Sequence, residues 1–576
     1  MIRPLLLLAL VCHLVFATTY AVSTPAFEGP DENAHGYYVS YLVHTGKLPV
    51  IVADCSPMTG GAAAHHPPLY YATLAGLTFA FGTGDYTPTW RLNPEWLTES
   101  EHGRQHFLHG YDEQSPISEE VGILRILRGF SVLCGLFTIW LAHALGRALF
   151  PHDLRIADVG ALLLACTPTW SWMHGCLDNG NLAATLATAT LVILVRAVQR
   201  KSLTNGVGAA LGTVAGLALI TKLTALFLLP IMTAGYLYGL FAWRQDGARR
   251  RTVISAMVAL VTLAAVAGWS FWRNVEVYGD PFMLEAIEAP LIDNMLADDQ
   301  RWDYLIHEFP AQLFGSSLAS FGWARVELPA GAEWLVLAVI LLAAGSCLKN
   351  WRKLCPEGSA ALLLTVMAIA IVVFGVTRLN AKFVQPQGRY MFPAFAAFAV
   401  MVAAGLVSLW RARRLPTGLG VALLALPIAG AIATYSTVFT AVFPGGVTTP
   451  DTHYATYIEG LRSAPNPERE TIELLAPEDG ATAASSPTFR WRDPDAPEGA
   501  LYSVHLATEA GIPLATFELG SFVITGDEWT MAAPLWQSLD PDSRLTWKIR
   551  RVPDRSRRER AADAAESAVR TVVHGG

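Results

Sequence analysis

Residues 252–272 read TVISAMVALVTLAAVAGWSFW, an unbroken run without Lys, Arg, Asp or Glu, bounded by Arg251 and Arg273. Crossing roughly 30 Å of hydrocarbon takes about 20 apolar residues, and there a helix satisfies its own backbone hydrogen bonds. Ten further uncharged runs lie at 4–27, 129–146, 159–177, 179–195, 202–221, 223–243, 334–348, 358–377, 390–410 and 415–450. In chain order the fourth, 179–195, is short, and the eighth, 334–348, reaches spanning length only by borrowing neutral residues such as Leu328 to Ala332. The pattern predicts a polytopic α-helical membrane protein of about 11 spans, with ten or twelve as the neighbouring counts.

Composition agrees. Of 576 residues, 52% are hydrophobic and 15% charged, where soluble domains carry about a quarter charged residues. Mean hydropathy is +0.36. These values exclude a disordered, collagen-like or secreted disulfide-rich chain. The formal charge of -7 leaves no basic field for nucleic acid. Seven cysteines, scattered through mostly apolar segments, have neither disulfide-framework nor metal-site spacing.

Short-loop cations set the orientation. With the N-terminus inside, Arg147 and Arg155, then Arg196, Arg200 and Lys201, then Arg244 and Arg249 to Arg251, then Lys349, Arg352 and Lys353, then Arg411, Arg413 and Arg414 all fall inside, while the short outer loops hold few cations. An odd number of spans puts the C-terminus outside. The first run follows Arg3 and has small residues near Ala21, a pattern shared by a retained span and a signal peptide. In both cases residue 28 emerges on the outer face.

The expected domains are a transmembrane unit over 1–440, a linker over 441–470, a β-sandwich over 471–553 and a charged tail over 554–576. Large outer loops cover 28–122 and 273–330. In the first, Leu69 to Phe81 follows Pro67-Pro68 and is too short to cross; it reads as a helix in the interface, a re-entrant helix or the buried helix of a loop subdomain. In the terminal piece, Phe489 with Trp491, Tyr502 with Val504 and Leu506, and Leu545 with Trp547 and Ile549 alternate at the period of half-buried strands. Residues 555–576 read as a frayed helix or tail.

The polar residues with chemical potential crowd the outer side. Phe27-Glu28-Gly29-Pro30-Asp31-Glu32-Asn33-Ala34-His35 follows the first span, and Asp31 is expected to cap the next helix with His35 one turn on. In the same loop come His65, His66, Tyr70 and Tyr71. Arg125 and Arg128 open the second span; Asp178, Asn179 and Asn181 precede the fourth; Lys222 occupies a tight hairpin; Arg273 and Asn274 leave the seventh; and Gln387-Gly388-Arg389-Tyr390 opens the tenth. A single cation at a helix end is ordinarily a snorkelling anchor. Their shared face suits a sugar carried on a lipid phosphate. Such a leaving group needs positive charge but no proton, while the acceptor hydroxyl needs a base. Asp31 would be that base, and some of Arg125, Arg128, Lys222, Arg273 and Arg389 would hold the phosphate. Adjacent Asp31 and Glu32 do not supply the two opposed carboxylates of a glycoside hydrolase.

The Pro-Asp-Glu-x-x-His stretch, Pro-Pro-Leu-Tyr-Tyr, the Arg of the second span, Asp178-Asn179, Thr221-Lys222, Arg273-Asn274 with Tyr-Gly-Asp-Pro, and Gln-Gly-Arg-Tyr-x-x-Pro resemble, in this order, the GT-C membrane glycosyltransferases. The nearest in kind are the protein O-mannosyltransferase and aminoarabinose-transferase group. The resemblance covers roughly 1–440. It implies an inverting transferase using a polyprenyl-phosphate sugar, with Asp31 as base and Glu32 orienting groups nearby. It implies substrate contacts from His35, His66, Tyr70, Arg125, Arg128, Asp178, Asn179, Lys222, Arg273, Gln387, Arg389 and Tyr390, with a lipid, glycan or protein acceptor on the periplasmic side of a bacterial inner membrane. The C-terminal unit resembles a fibronectin type III module. No cofactor is expected. Some GT-C enzymes use a divalent metal, for which Asp31 with His35, His65 or His66 are the candidate ligands. The polar insertion from Trp90 to Glu120 departs from the common pattern and bears on acceptor identity. The competing classes are a transporter or flippase of lipid-linked glycans, which would line its path with intramembrane charge, and a non-catalytic scaffold presenting the β-unit.

Overall fold

The computed structural model describes residues 4–51, 61–81, 106, 107, 109, 119–243, 247–284, 287, 295, 296, 300–322, 326, 327, 331–354, 360–413, 417–440, 443, 470–496, 500–508, 513–515, 524–531, 536, 542–551 and 566–575. Helices run in the order α1 (Pro4–Ser23), α2 (Glu32–Thr45), α3 (Leu69–Phe81), α4 (Glu119–Leu149), α5 (Leu154–Ala165), α6 (Pro168–Met173), α7 (Asn179–Gln199), α8 (Asn205–Leu219), α9 (Leu228–Ala242), α10 (Ala248–Tyr278), α11 (Phe309–Leu318), α12 (Ala332–Lys349), α13 (Ala360–Asn380), α14 (Phe392–Arg413) and α15 (Thr417–Thr434). Every apolar run carries a helix. Among the described residues, seven helical stretches are long and apolar enough to cross a membrane: Pro4–Ser23, Val121–Leu149, Asn179–Gln199, Leu223–Ala242, Ala248–Tyr278, Ala360–Asn380 and Gly388–Arg411. Leu69–Phe81, Asn205–Leu219 and Ala425–Phe439 are shorter apolar helices. The protein is an integral membrane protein.

The third run is not the single span expected. It breaks into α5 and α6 at Thr167, whose backbone is extended. Pro168 is the cause: it has no N–H for an ongoing helix and disfavours helical geometry in the residue before it. After the break, α6 leads directly into the segment from His174 to Asp178.

The core of the bundle collects Leu145 of α4, Leu194 and Val195 of α7, Leu211 of α8 and Val400 of α14, all fully buried. Between α8 and α10 the contact is backbone to backbone. A Cβ at Gly212 would lie 2.1 Å from Ala259 O and 2.1 Å from Thr262 Oγ1, the close approach small residues allow between membrane helices. Helix α3 buries Tyr70, Tyr71 and Leu74 while Phe79 and Phe81 are exposed. Its first N–H bonds to Ile220 O at 2.9 Å, which ties α3 to the end of α8.

The C-terminal strands are β3 (Glu470–Ala476), β4 (Ala481–Ala483), β5 (Thr488–Arg492), β6 (Leu501–Thr508), β7 (Pro513–Ala515), β8 (Ile524–Thr525), β9 (Glu528–Thr530), β10 (Arg544–Arg551), β11 (Glu566–Ser567) and β12 (Arg570–His574); β1 (Ser320–Phe321) and β2 (Val326–Glu327) form a separate pair. The expected alternation holds: Phe489, Trp491, Val504, Leu506, Leu545, Trp547 and Ile549 are buried in one cluster. In the antiparallel register of β6 and β10, Val504 faces Ile549 and Leu506 faces Trp547. The expected charged tail needs correction. Residues 566–574 hold β11 and β12, with β12 antiparallel to β10 and parallel to β4. Val572 is buried in the common core.

Two alanine substitutions separate packing from helix propensity. Alanine favours a helix interior over glycine by roughly 1 kcal/mol. Gly212→Ala nevertheless lowers the thermal unfolding temperature in detergent, because its methyl has no room. Gly268→Ala on α10, where a Cβ meets nothing within 4 Å, leaves it unchanged or raises it.

Candidate active site

The turn between α1 and α2 is built on strained backbone. Phe27 and Asp31 both have positive φ, 64° and 60°, a conformation worth roughly 1–3 kcal/mol for a residue with a side chain. Gly29 lets this turn pass close to α6, since a Cβ there would meet Cys176 Cβ at 2.8 Å. Asp31 stands at the N-cap position of α2, but its side chain does not cap that helix, contrary to the expectation from sequence. The left-handed backbone directs the carboxylate away from the helix and onto Arg389, which donates through Nη2 to Asp31 Oδ2.

What holds the strained turn is a buried ion pair. Glu32 and Arg128 are inaccessible to solvent, and Arg128 donates from Nε and Nη2 to the two oxygens of Glu32 at 2.8 and 2.6 Å. Its remaining N–H groups go to Ala21 O at 2.9 Å, Thr24 O at 2.6 Å and Pro25 O at 2.9 Å. A guanidinium has five N–H donors, and all five are engaged, so Arg128 has none left for a phosphate. Glu32 Oε1 also accepts from Leu177 N at 2.9 Å, which fixes the turn to the residue before Asp178. Glu32 is thereby a positioning group. Glu28, unremarked in the sequence, accepts from Phe107 N and His109 Nε2, both at 2.9 Å. No spacing rule connects positions so far apart inside one loop.

Asp178 caps α7 by accepting from Gly180 N. Its other oxygen takes Arg389 Nη1 at 3.0 Å, and Lys222 Nζ lies 3.5 Å from the capping oxygen. Arg389 also donates from Nη1 to Pro30 O at 3.1 Å and from Nε to Gln387 Oε1 at 2.6 Å. Tyr390 lies with its ring 5.5 Å from the guanidinium. The arginine is held in place by its neighbour: a Cβ at Gly388 would come within 2.4 Å of the Ser317 backbone, and Gly388 N donates to Ser316 Oγ at 3.0 Å. The pairing of α11 with this turn has no signature in the sequence.

Around the carboxylates, Asp178 N donates to Tyr70 Oη at 3.2 Å, and Tyr70 shares a 2.8 Å hydrogen bond with Ser131. His35 Nδ1 bonds the Tyr71 hydroxyl at 2.8 Å. The rings of His66, His35, Tyr71 and Tyr38 follow one another nearly parallel. Asn179 Nδ2 donates to Thr221 O at 3.1 Å, tying the cap of α7 to the Lys222 hairpin. Two expected phosphate ligands lie apart from these bonds. Arg273 donates to Pro49 O at 2.7 Å and Leu48 O at 3.4 Å, and Arg125 sits one turn before Arg128 on α4, outside the hydrogen bonds that join Asp31, Asp178, Lys222 and Arg389.

Electrostatics sharpen the roles. Desolvation opposes ionisation of Asp31, but the Arg389 guanidinium outweighs it and holds the carboxyl below the usual range. Asp178 is depressed further, because Lys222 and Arg389 overcome its burial. Burial pushes His35 and His65 down to about 4, against the pull of Asp178 and Asp31 on His35 and of Ala62 O and Asp31 on His65; burial and His65 lower His66. The site thus holds two carboxylates, two cations and neutral imidazoles. Asp31 is half-exposed at 49%, while Asp178 is 3% exposed. Lys222, 15% exposed and making one long contact, keeps donors for an incoming anion.

Residues 128–397 match the family model described as "Predicted membrane protein (DUF2142)". No curated protein matches the sequence. Among solved structures, the chain is similar to ArnT from Cupriavidus metallidurans bound to undecaprenyl phosphate, at 16% identity and TM-score 0.45 over 75% of this chain and 64% of that one. It is also similar to the apo oligosaccharyltransferase of Archaeoglobus fulgidus, at 14% identity and TM-score 0.44 over 80% of this chain and 58% of that one. A third likeness is to the Pmt1-Pmt2 complex of S. cerevisiae bound to the sugar donor, at 14% identity and TM-score 0.33 over 52% of this chain and 36% of that one. The chain spans less than two thirds of the length of each of these three.

Removing one partner of a buried pair leaves an uncompensated charge and costs roughly 3–5 kcal/mol. Arg128→Ala therefore lowers the thermal unfolding temperature by several degrees, and Arg128→Lys does not restore it, because an ammonium cannot make the two-pronged contact with Glu32. The histidines give a pH dependence. His35 and His65 stay neutral in the fold down to about 4, whereas in an unfolded chain they protonate near 6.5. Their contribution is present above pH 6.5 and lost as pH falls towards 4. Asp31 and Asp178, held low, remain ionised across that window. Melting temperatures measured between pH 7 and 4 should fall, and His65→Gln with His66→Gln should flatten the fall.

Proposed function

We propose that this chain is an inverting glycosyltransferase that moves a monosaccharide from a polyprenyl-phosphate donor to a cell-envelope acceptor on the outer face of a bacterial inner membrane. The observation that carries the reading is the meeting of one half-exposed carboxylate, Asp31, with Asp178, Lys222 and Arg389, contributed by four distant parts of the chain. A base open to solvent beside a cation with donors to give is what displacement of a phosphate ester requires. The acceptor hydroxyl transfers its proton to Asp31 as its oxygen attacks the anomeric carbon. The bond from that carbon to the phosphate oxygen breaks, and polyprenyl phosphate departs as an anion that needs no proton. Lys222 meets the phosphate, and Arg389 keeps Asp31 aimed. A single displacement from the face opposite the leaving group inverts the anomeric centre.

This order of roles follows from access. Asp178 is buried and engaged in capping, so it organises the cations, while Asp31 reaches substrate. The motif resemblance to the GT-C transferases supports the same assignment. In nanodiscs supplied with polyprenyl-phosphate sugars, the purified chain should release polyprenyl phosphate from a matching donor. Asp31→Asn should reduce release by about 10²- to 10⁴-fold, the usual contribution of a positioned base, with the melting temperature retained. Lys222→Ala should raise KM for the donor. Full activity of Asp31→Asn would remove the assigned base.

A further inference from the structure

Besides Gln387 Oε1 on its Nε, three oxygens meet the terminal nitrogens of Arg389: Asp31 Oδ2, Asp178 Oδ2 and Pro30 O, the last two at 3.0 and 3.1 Å from Nη1. Two carboxylates and a carbonyl form an oxygen-only set suited to a hard divalent ion such as Mg²⁺ or Mn²⁺. A guanidinium occupies the space between them instead. The histidines that the sequence suggested as metal ligands are turned to other work: His35 Nδ1 bonds Tyr71 and His65 Nδ1 bonds Ala62 O. Among the described residues no group of three or more His, Cys, Asp or Glu is arranged to hold a metal.

We propose that Arg389 permanently fills the cation position between Asp31 and Asp178, so that the native site takes no divalent ion, and that removing the guanidinium exposes a latent oxygen-ligand metal site. The guanidinium is built in rather than adventitious. Its Nε is fixed by Gln387 at 2.6 Å, its backbone by the close approach of Gly388 to Ser317, and its charge is permanent because an arginine does not deprotonate in proteins. Arg389 and Lys222 already balance the two carboxylates, so a divalent ion entering beside them would face two like charges at short range. A chelator cannot extract an arginine, and an arginine cannot acidify a bound water, so proton removal stays with Asp31. That last consequence rests on the transferase reading; the ion-binding claim does not.

The test uses Mn²⁺ alone, titrated into the full chain in nanodiscs and followed by the electron paramagnetic resonance signal of free Mn²⁺, with empty nanodiscs as the lipid background. The native chain is expected to take up no Mn²⁺ above background. Arg389→Ala is expected to bind one ion per chain, and Arg389→Ala with Asp178→Asn to lose it. Stoichiometric binding by the native chain that Asp178→Asn abolishes would overturn the proposal, as would a folded Arg389→Ala chain that binds none. Arg389→Ser serves if the alanine variant does not fold; if neither folds, the native-chain titration decides alone. Failure of the transferase reading would appear separately, as absence of donor cleavage with the Mn²⁺ results unchanged.

Discussion

Two carboxylates that share a small, mostly buried space cannot both stay ionised unless a cation lies between them. Here that cation is the Arg389 guanidinium, joined to Asp31 from the start of α2 and to Asp178 from the cap of α7. The geometry of the site follows from this one contact. It fixes where the turn before α14 must lie, requires glycine at 388 so that the turn can press on α11, and takes Asp31 away from the helix it would otherwise cap. The carboxylate that results is ionised, aimed and half-open to solvent.

Three cations near the candidate site show how hydrogen-bond accounting separates structural from chemical roles. Arg128 has every N–H committed, two to Glu32 and three to carbonyls of the last turn of α1 and the segment after it. Arg389 divides its donors between Gln387, Pro30 and the two carboxylates. Lys222 makes one contact at 3.5 Å. Their charges are the same, but only the lysine offers most of its donors to something arriving from outside. The buried Glu32–Arg128 pair sets the strained turn, the turn sets Asp31, and Asp31 faces the cations.

The histidine and tyrosine rings beside this cluster add shape without adding charge. Burial keeps His35 and His65 neutral through the physiological range, and Tyr71 links His35 to the stacked rings through its hydroxyl. Among the described residues, charge in the site is therefore confined to Asp31, Asp178, Lys222 and Arg389. Under the transferase reading proposed above, Lys222 is the cation that a donor phosphate would meet.

The membrane architecture was legible in the sequence because hydrocarbon imposes a local rule: each span must be apolar over its whole length, so the runs at 4–27, 252–272 and 358–377 announce their helices. The alternation of Phe489 with Trp491 announced a strand for the same local reason. Residues 566–574 did not, because their pairing with β10 and β4 is non-local and their charged surroundings resemble a tail. At the site, the sequence by itself determined which polar residue types stand beside the ends of the apolar runs. Only the tertiary structure decided that Arg128 is consumed by Glu32 while Arg389 bridges Asp31 and Asp178, 358 and 211 positions away. The physical reason is that two arginines standing just before apolar runs look alike along the chain. Their roles diverge through which oxygens the packed helices bring within about 3 Å, a hydrogen-bond condition that no spacing in the sequence encodes.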